Sequence, residues 1–150
     1  MGYNNGVGRQ APAFSLTAAD GGQIALKDYR GDWYPVLVFV PTQAPGAADL
    51  LAQLSASAGV FWGLRGQLLA LCDAAPEALK ELAGGVQGLA VPLLSDDGHV
   101  AASYGALKKS GEVRPMAVVV DRAGKIVWQA DRPEMLRPDA ILDAFRRVVR

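Results

Sequence analysis

Val36-Leu37-Val38-Phe39-Val40 narrows the folds open to this chain more than any other stretch. Its β-branched and aromatic residues favour extended backbone. It is apolar at every position, whereas a strand with one wet face would alternate. A strand of this kind needs a layer of structure on each side, which is the situation of a parallel or mixed sheet sandwiched between helices. We read it as the central strand. Leu68-Leu69-Ala70-Leu71-Cys72 is a second continuous apolar run, and Met116-Ala117-Val118-Val119-Val120 is a further strand.

The segments between them supply the layers. From Ala47 to about Ala58, Leu50, Leu51 and Leu54 fall at helical spacing. Pro76-Glu77 opens a helix through Leu82 and Ala83 that Gly84-Gly85 stops, with proline suited to the first turn. Ala90–Leu94 reads as a short extended segment, and Asp97-Gly98 precedes a brief helix holding Val100, Ala101 and Tyr104. Asp121-Arg122-Ala123-Gly124 is a turn leading to a strand over Lys125–Gln129. A last helix begins at Pro138-Asp139, with Ile141, Leu142, Phe145 and Val149 on one face. Ahead of all this, Ala13–Leu16 and Gln23–Leu26 alternate around the turn signal Asp20-Gly21-Gly22, an N-terminal hairpin. Residues 1–10, rich in Gly and Asn, read as frayed. Two consecutive βα units call for parallel strands with right-handed crossovers. The expectation is one α/β domain over residues 1–150, a mixed β-sheet flanked by helices.

Composition limits the chemistry. Fifteen basic and fifteen acidic residues cancel, which leaves no footprint for nucleic acid. The basic cluster Arg146-Arg147-Val148-Val149-Arg150 suits a helix C-terminus. No apolar run is long enough to span a bilayer, and Met1–Gly6 lacks the charged and apolar regions of a signal peptide. A cytoplasmic location is expected. The single cysteine, Cys72, excludes an internal disulfide, a CxxC pair and a cysteine zinc site, and the single histidine, His99, excludes a histidine-rich metal site. No glycine pattern suits a nucleotide. Neither metal nor cofactor is expected.

Several short motifs add a resemblance. Val7-Gly8-Arg9-Gln10-Ala11-Pro12-Ala13-Phe14-Ser15-Leu16, Leu26-Lys27-Asp28-Tyr29-Arg30-Gly31, Pro92-Leu93-Leu94-Ser95-Asp96, Ala102-Ser103-Tyr104-Gly105 and Val118–Ile126 occur in this order. Together they resemble the peroxiredoxin family (alkyl hydroperoxide reductase/thiol-specific antioxidant), a form of the thioredoxin fold. The resemblance implies an antioxidant oxidoreductase that reduces peroxides through a cysteine in a PxxxTxxC motif after the central strand. That cysteine acts as a thiolate, lowered in pKa by a helix N-terminus and a nearby Arg.

This chain departs from the motif. In Pro41-Thr42-Gln43-Ala44-Pro45-Gly46-Ala47-Ala48, an ungapped match puts Pro41 on the Pro, Pro45 on the Thr and Ala48 on the cysteine. Matching Pro45-Gly46 to the "PG" that often precedes the cysteine puts Ala47 there instead. Either way a methyl group stands where the nucleophile would be. The family's Arg falls on Pro115, with Arg114 beside it; a Pro here is similar to the cis-Pro of thioredoxins, and Met116 would border the same pocket. Cys72 is the one candidate reactive thiol. Its strand should run parallel to the central strand and end beside Ala47, although Asp73 would raise its pKa and a small buried hydrophobe is what free cysteines usually are.

Two functional readings follow. One is a binding or assembly module with a degenerate site, which takes a protein partner or small ligand at the former pocket and pairs as a homodimer, as the resemblance implies. The other is an atypical peroxidase that uses Cys72 with an external thiol. Action only inside a larger complex is a third option. His99 and Asp96-Asp97-Gly98 read as a helix start with an N-cap Asp, and Phe61-Trp62-Gly63-Leu64 as a connection packing under its loop or forming an interface.

Overall fold

The structure is a computed structural model that describes residues 6–149. Seven strands form one sheet: β1 (Ser15–Ala18), β2 (Gln23–Ala25), β3 (Tyr34–Val40), β4 (Gly66–Cys72), β5 (Leu93–Ser95), β6 (Met116–Val120) and β7 (Ile126–Ala130). Four α-helices accompany them: α1 (Ala47–Gly63), α2 (Pro76–Gly84), α3 (His99–Ser103) and α4 (Pro138–Val148). The strand order is β2-β1-β5-β4-β3-β6-β7. Strands β3, β4 and β5 are mutually parallel, joined through α1 and α2, while β1 and β2 at one side and β6 and β7 at the other are antiparallel. This is the mixed, thioredoxin-like sheet read from the sequence, with its N-terminal hairpin. The exact middle of the seven is β4 rather than β3, which lies next to it and is paired on both sides.

Strand alternation sorts the apolar runs into two cores. Val36, Val38 and Val40 of β3, with Leu68, Ala70 and Cys72 of β4, pack against Leu51, Leu54, Phe61, Ile141 and Phe145 of α1 and α4. Leu37, Phe39, Leu69 and Leu71 face the other way, onto Val100, Tyr104, Ala11, Phe14 and Leu26. Each strand residue therefore has an apolar layer to enter, which is why these runs carry no polar alternation.

Three expectations are corrected. Helix α1 continues to Gly63, so Phe61-Trp62-Gly63 is its last turn and not a loop. Ala58 and Phe61 prolong the apolar face that Leu51 and Leu54 begin, and burial of Phe61 outweighs the roughly 1 kcal/mol that Gly59 costs a helix. The extended segment at Ala90–Leu94 forms strand only from Leu93 to Ser95, because β4 and β1 offer partners there. Of the residues read as frayed, 1–5 lie outside the described residues, while 6–10 are held. The Gly8 amide donates to Ile126 and the Ile126 amide to Arg9, and Gln10 bridges to Lys125.

Candidate functional site

Parallel pairing fixes the geometry of the corner after β3. Val40 stands beside Cys72, so the chain leaves both strands at the same edge of the sheet. After β3 the chain turns through Pro41–Pro45, where the Ala44 amide donates to the Pro41 carbonyl. Gly46 then adopts a left-handed conformation (φ 86°) and α1 begins at Ala47. Ala47 is buried, whereas Pro45, Gly46 and Ala48 are exposed. The first amides of a helix have no partner within it and carry the positive end of its dipole. The corner thus sets the amide end of a helix beside the methyl groups of Ala47 and Ala48, with the Asp49 carboxylate in the same turn; the Ala47 amide itself donates to the Ala44 carbonyl at 3.4 Å.

One contact here was not read from the sequence. Both the Thr42 amide and its hydroxyl donate to Oδ1 of Asp73, at 2.7 and 2.9 Å. Asp73 follows Cys72 at the end of β4, so this carboxylate ties the loop after β3 to the loop after β4. Register alone gives only part of this signal: it sets Pro41 level with Asp73, and Thr42 reaches the carboxylate from one residue further on.

Cys72 shares the α1-side core with Ala47 and has no exposed surface. Its Sγ lies 3.8 Å from the Ala70 carbonyl oxygen, a weak contact to its own strand. Burial, and secondarily the charge of Asp73, push its thiol up from 9.0 to about 12. Among the described residues no cation acts on it to reverse that shift.

Arg114, Pro115 and Met116 lead into β6. Register places Met116 opposite Phe39, so Pro115 and Arg114 continue alongside Val40 and Pro41. The Met116 side chain enters the opposite core from Ala47 and Cys72, with Phe39 and Tyr104, because alternation turns it away. The Arg114 guanidinium pairs with Asp131 at 3.2 Å, and its Nε is buried without a hydrogen bond. Pro115 is exposed, and no cis peptide occurs among the described residues, so it lacks the cis geometry of a thioredoxin proline.

Next to the Thr42–Asp73 tie lies a cleft of about 400 Å³, walled by Asp73, Ala74, Pro76, Ser95, Asp96 and Val113 among others. It forms where the loops after β4, β5 and α3 meet, so no single stretch of sequence announces it. Asp96 is a structural group within it: its carboxylate accepts the amides of Gly98, Val100 and Ala101, which caps α3 from two residues before Gly98. His99 is exposed and pairs with Asp97 at 2.7 Å, which raises its pKa above the usual imidazole value. No cluster of three or more His, Cys, Asp or Glu suited to a metal occurs among the described residues. No described helix is long and apolar enough to cross a membrane.

Comparison with known proteins fits this frame. A protein of Mycobacterium tuberculosis that carries the name peroxiredoxin is 33% identical over 129 residues, 80% of this chain and 81% of that protein. A thioredoxin peroxidase of Echinococcus granulosus is 32% identical over 112 residues, 67% of this chain and 58% of that protein. Among solved structures, the peroxidoxin BcpB of Mycobacterium tuberculosis superposes with a TM-score of 0.81 at 24% identity, covering 96% of this chain and 97% of that one. The AhpC of Enterococcus faecalis gives 0.82 at 15% identity, covering 96% and 90%. At such identities these two likenesses speak for the fold alone. The AhpC/TSA family model matches residues 7–129, most of the chain up to β7. This chain belongs to the AhpC/TSA family.

Proposed function

We propose that this chain is a non-catalytic member of its family, a binding or assembly module whose active-site corner has lost its reactive atom. The observation that carries this reading is the pair Ala47-Ala48 in the first turn of α1, together with a Cys72 sealed in the core. Peroxide reduction by this family's route needs a thiolate that can reach the peroxide oxygen. A methyl group cannot ionise, and Cys72 is held protonated and out of contact with solvent. The Thr and Arg of the motif have no counterpart in place either, since Pro45 stands at one position and Pro115 at the other.

Beside the corner lies a cleft walled by the loops after β4, β5 and α3, and not by Pro41–Ala48. The cleft beside Asp73 is large enough for a small ligand or a few residues of a partner chain, and it opens at the edge where the family's chemistry sits. A homodimer and a cytoplasmic location belong to the same proposal; a lone free cysteine in an otherwise thiol-free chain suits a reducing compartment.

Trapping tests the reading at the atom concerned. The folded chain is treated with hydrogen peroxide in the presence of dimedone, which captures sulfenic acids, and digested for peptide mass analysis. Cys72 is expected to carry no adduct until the chain is unfolded. A stoichiometric adduct on folded protein would establish Cys72 as a peroxide-reactive thiol and remove the proposal.

A further inference from the structure

The end of the sheet opposite Ala47 carries an unusual surface. There β3 begins, α1 ends, β4 begins and the β6–β7 turn closes. Val60, Trp62 and Leu64 are 46%, 60% and 39% exposed, three of the four large apolar side chains that stand exposed among the described residues. They lie in the last turn of α1 or just past it, and the Trp33 ring lies 5.4 Å from that of Trp62.

Cations frame this apolar group. The Arg65 guanidinium lies over the Trp33 ring at 5.7 Å, and that of Arg122 over the Tyr34 ring at 5.5 Å. Arg30 reaches the turn at Gly124, next to Arg122. The ion pairs among the described residues are His99–Asp97, Arg114–Asp131 and Arg137–Asp139, so none of these three arginines is neutralised. Of the nearby carboxylates, Asp121 is occupied by the amides of Ala123 and Lys125, and Asp32 stands exposed.

Arg65 supplies an independent sign. It is the one non-glycine among the described residues with positive φ (69°). Glycine occupies such a position at no steric cost, and strain kept at a surface residue points to a use for its side chain. Arg65 directly follows the C-cap of α1, and its guanidinium lies over Trp33.

We propose that this pole is a docking surface for an acidic protein segment bearing an apolar side chain. Guanidinium forks held over aromatic rings can match carboxylates in pairs, and Trp and Arg are enriched among the residues that carry most binding energy at interfaces. Nucleic acid fits less well. A phosphate backbone would leave Val60, Trp62 and Leu64 without partners, and the chain as a whole has no net positive charge.

The probe is a fluorescein-labelled peptide in which glutamates alternate with leucine and phenylalanine, titrated with the full chain and read by anisotropy. A peptide with glutamine in place of glutamate and a single-stranded oligonucleotide are run beside it. Saturable binding is expected for the acidic peptide, weakened by about tenfold or more in Trp62→Ala and in Arg65→Gly, as for residues at the centre of an interface. Arg65→Gly relieves the strained backbone, so its Tm is expected to hold or rise while binding falls. That pairing separates docking from folding. The proposal is overturned by any of four results: no saturation below about 1 mM peptide, wild-type affinity in both variants, equal affinity for the oligonucleotide, or a self-association in sedimentation that Trp62→Ala abolishes.

Discussion

Cys72 of the folded chain is expected to react with a disulfide reagent at pH 8 about a thousandfold more slowly than in the unfolded chain, as the thiolate fraction alone dictates. The thiolate is the attacking species, and the fold lifts this thiol from 9.0 to about 12. Below pH 9 both states are protonated, so the shift leaves stability untouched. Above pH 9 the unfolded chain loses this proton and the folded chain keeps it, so stability falls by about 1.4 kcal/mol per pH unit towards pH 12, roughly 4 kcal/mol in all. Tyr104, also held above its usual value by burial, adds to the loss at higher pH. Denaturant melts between pH 8 and pH 11 check the sign, and Cys72→Ala is expected to flatten the part of the slope that begins near pH 9. Equal labelling rates in native and unfolded protein would show that the thiol is open to solvent.

Phe145→Ala is expected to cost about 3–5 kcal/mol, the usual range for emptying a fully buried aromatic site, and to lower Tm by roughly 10 °C. Phe145 is fully buried and meets Tyr34 edge-on at 5.9 Å and Phe61 at 5.4 Å. A Cβ on Gly66 would sit 2.7 Å from its Cζ, so the start of β4 closes against the ring and cannot move in to refill the space without shifting strand. This one residue joins α4, α1, β3 and β4. Replacing the half-buried Leu142 one turn away is expected to cost less, because water already reaches that position. A thermal melt of the two variants side by side decides the matter; equal losses would mean that α4 is not anchored through this ring.

The fold was legible because its strongest elements announce themselves locally. The apolar runs at Val36–Val40 and Met116–Val120 admit few places in a globular protein, and Pro76 and Pro138 mark two helix starts where the structure has them. The end of α1 was not legible. Phe61 and Trp62 lie between Gly59 and Gly63, and local propensity there favours a loop. Only the tertiary pocket formed by Phe145 and Gly66 makes the helix continue. At the corner the sequence itself shows that Pro41–Ala48 holds no cysteine. The tie from Thr42 to Asp73 and the face that Met116 enters both depend on register between strands distant in sequence. Arg65 was invisible for another reason: nothing in Leu64-Arg65-Gly66 tells which residue takes the left-handed turn, and the structure assigns it to Arg65 although a glycine follows.

The claim that the corner at Ala47 has lost its chemistry is tested most directly by peroxide consumption. Wild type and Cys72→Ser are each given hydrogen peroxide, or an organic hydroperoxide, with an excess of dithiothreitol, and peroxide loss is followed against a protein-free control. Both proteins are expected to match the control. Turnover by wild type that disappears in Cys72→Ser would contradict the account.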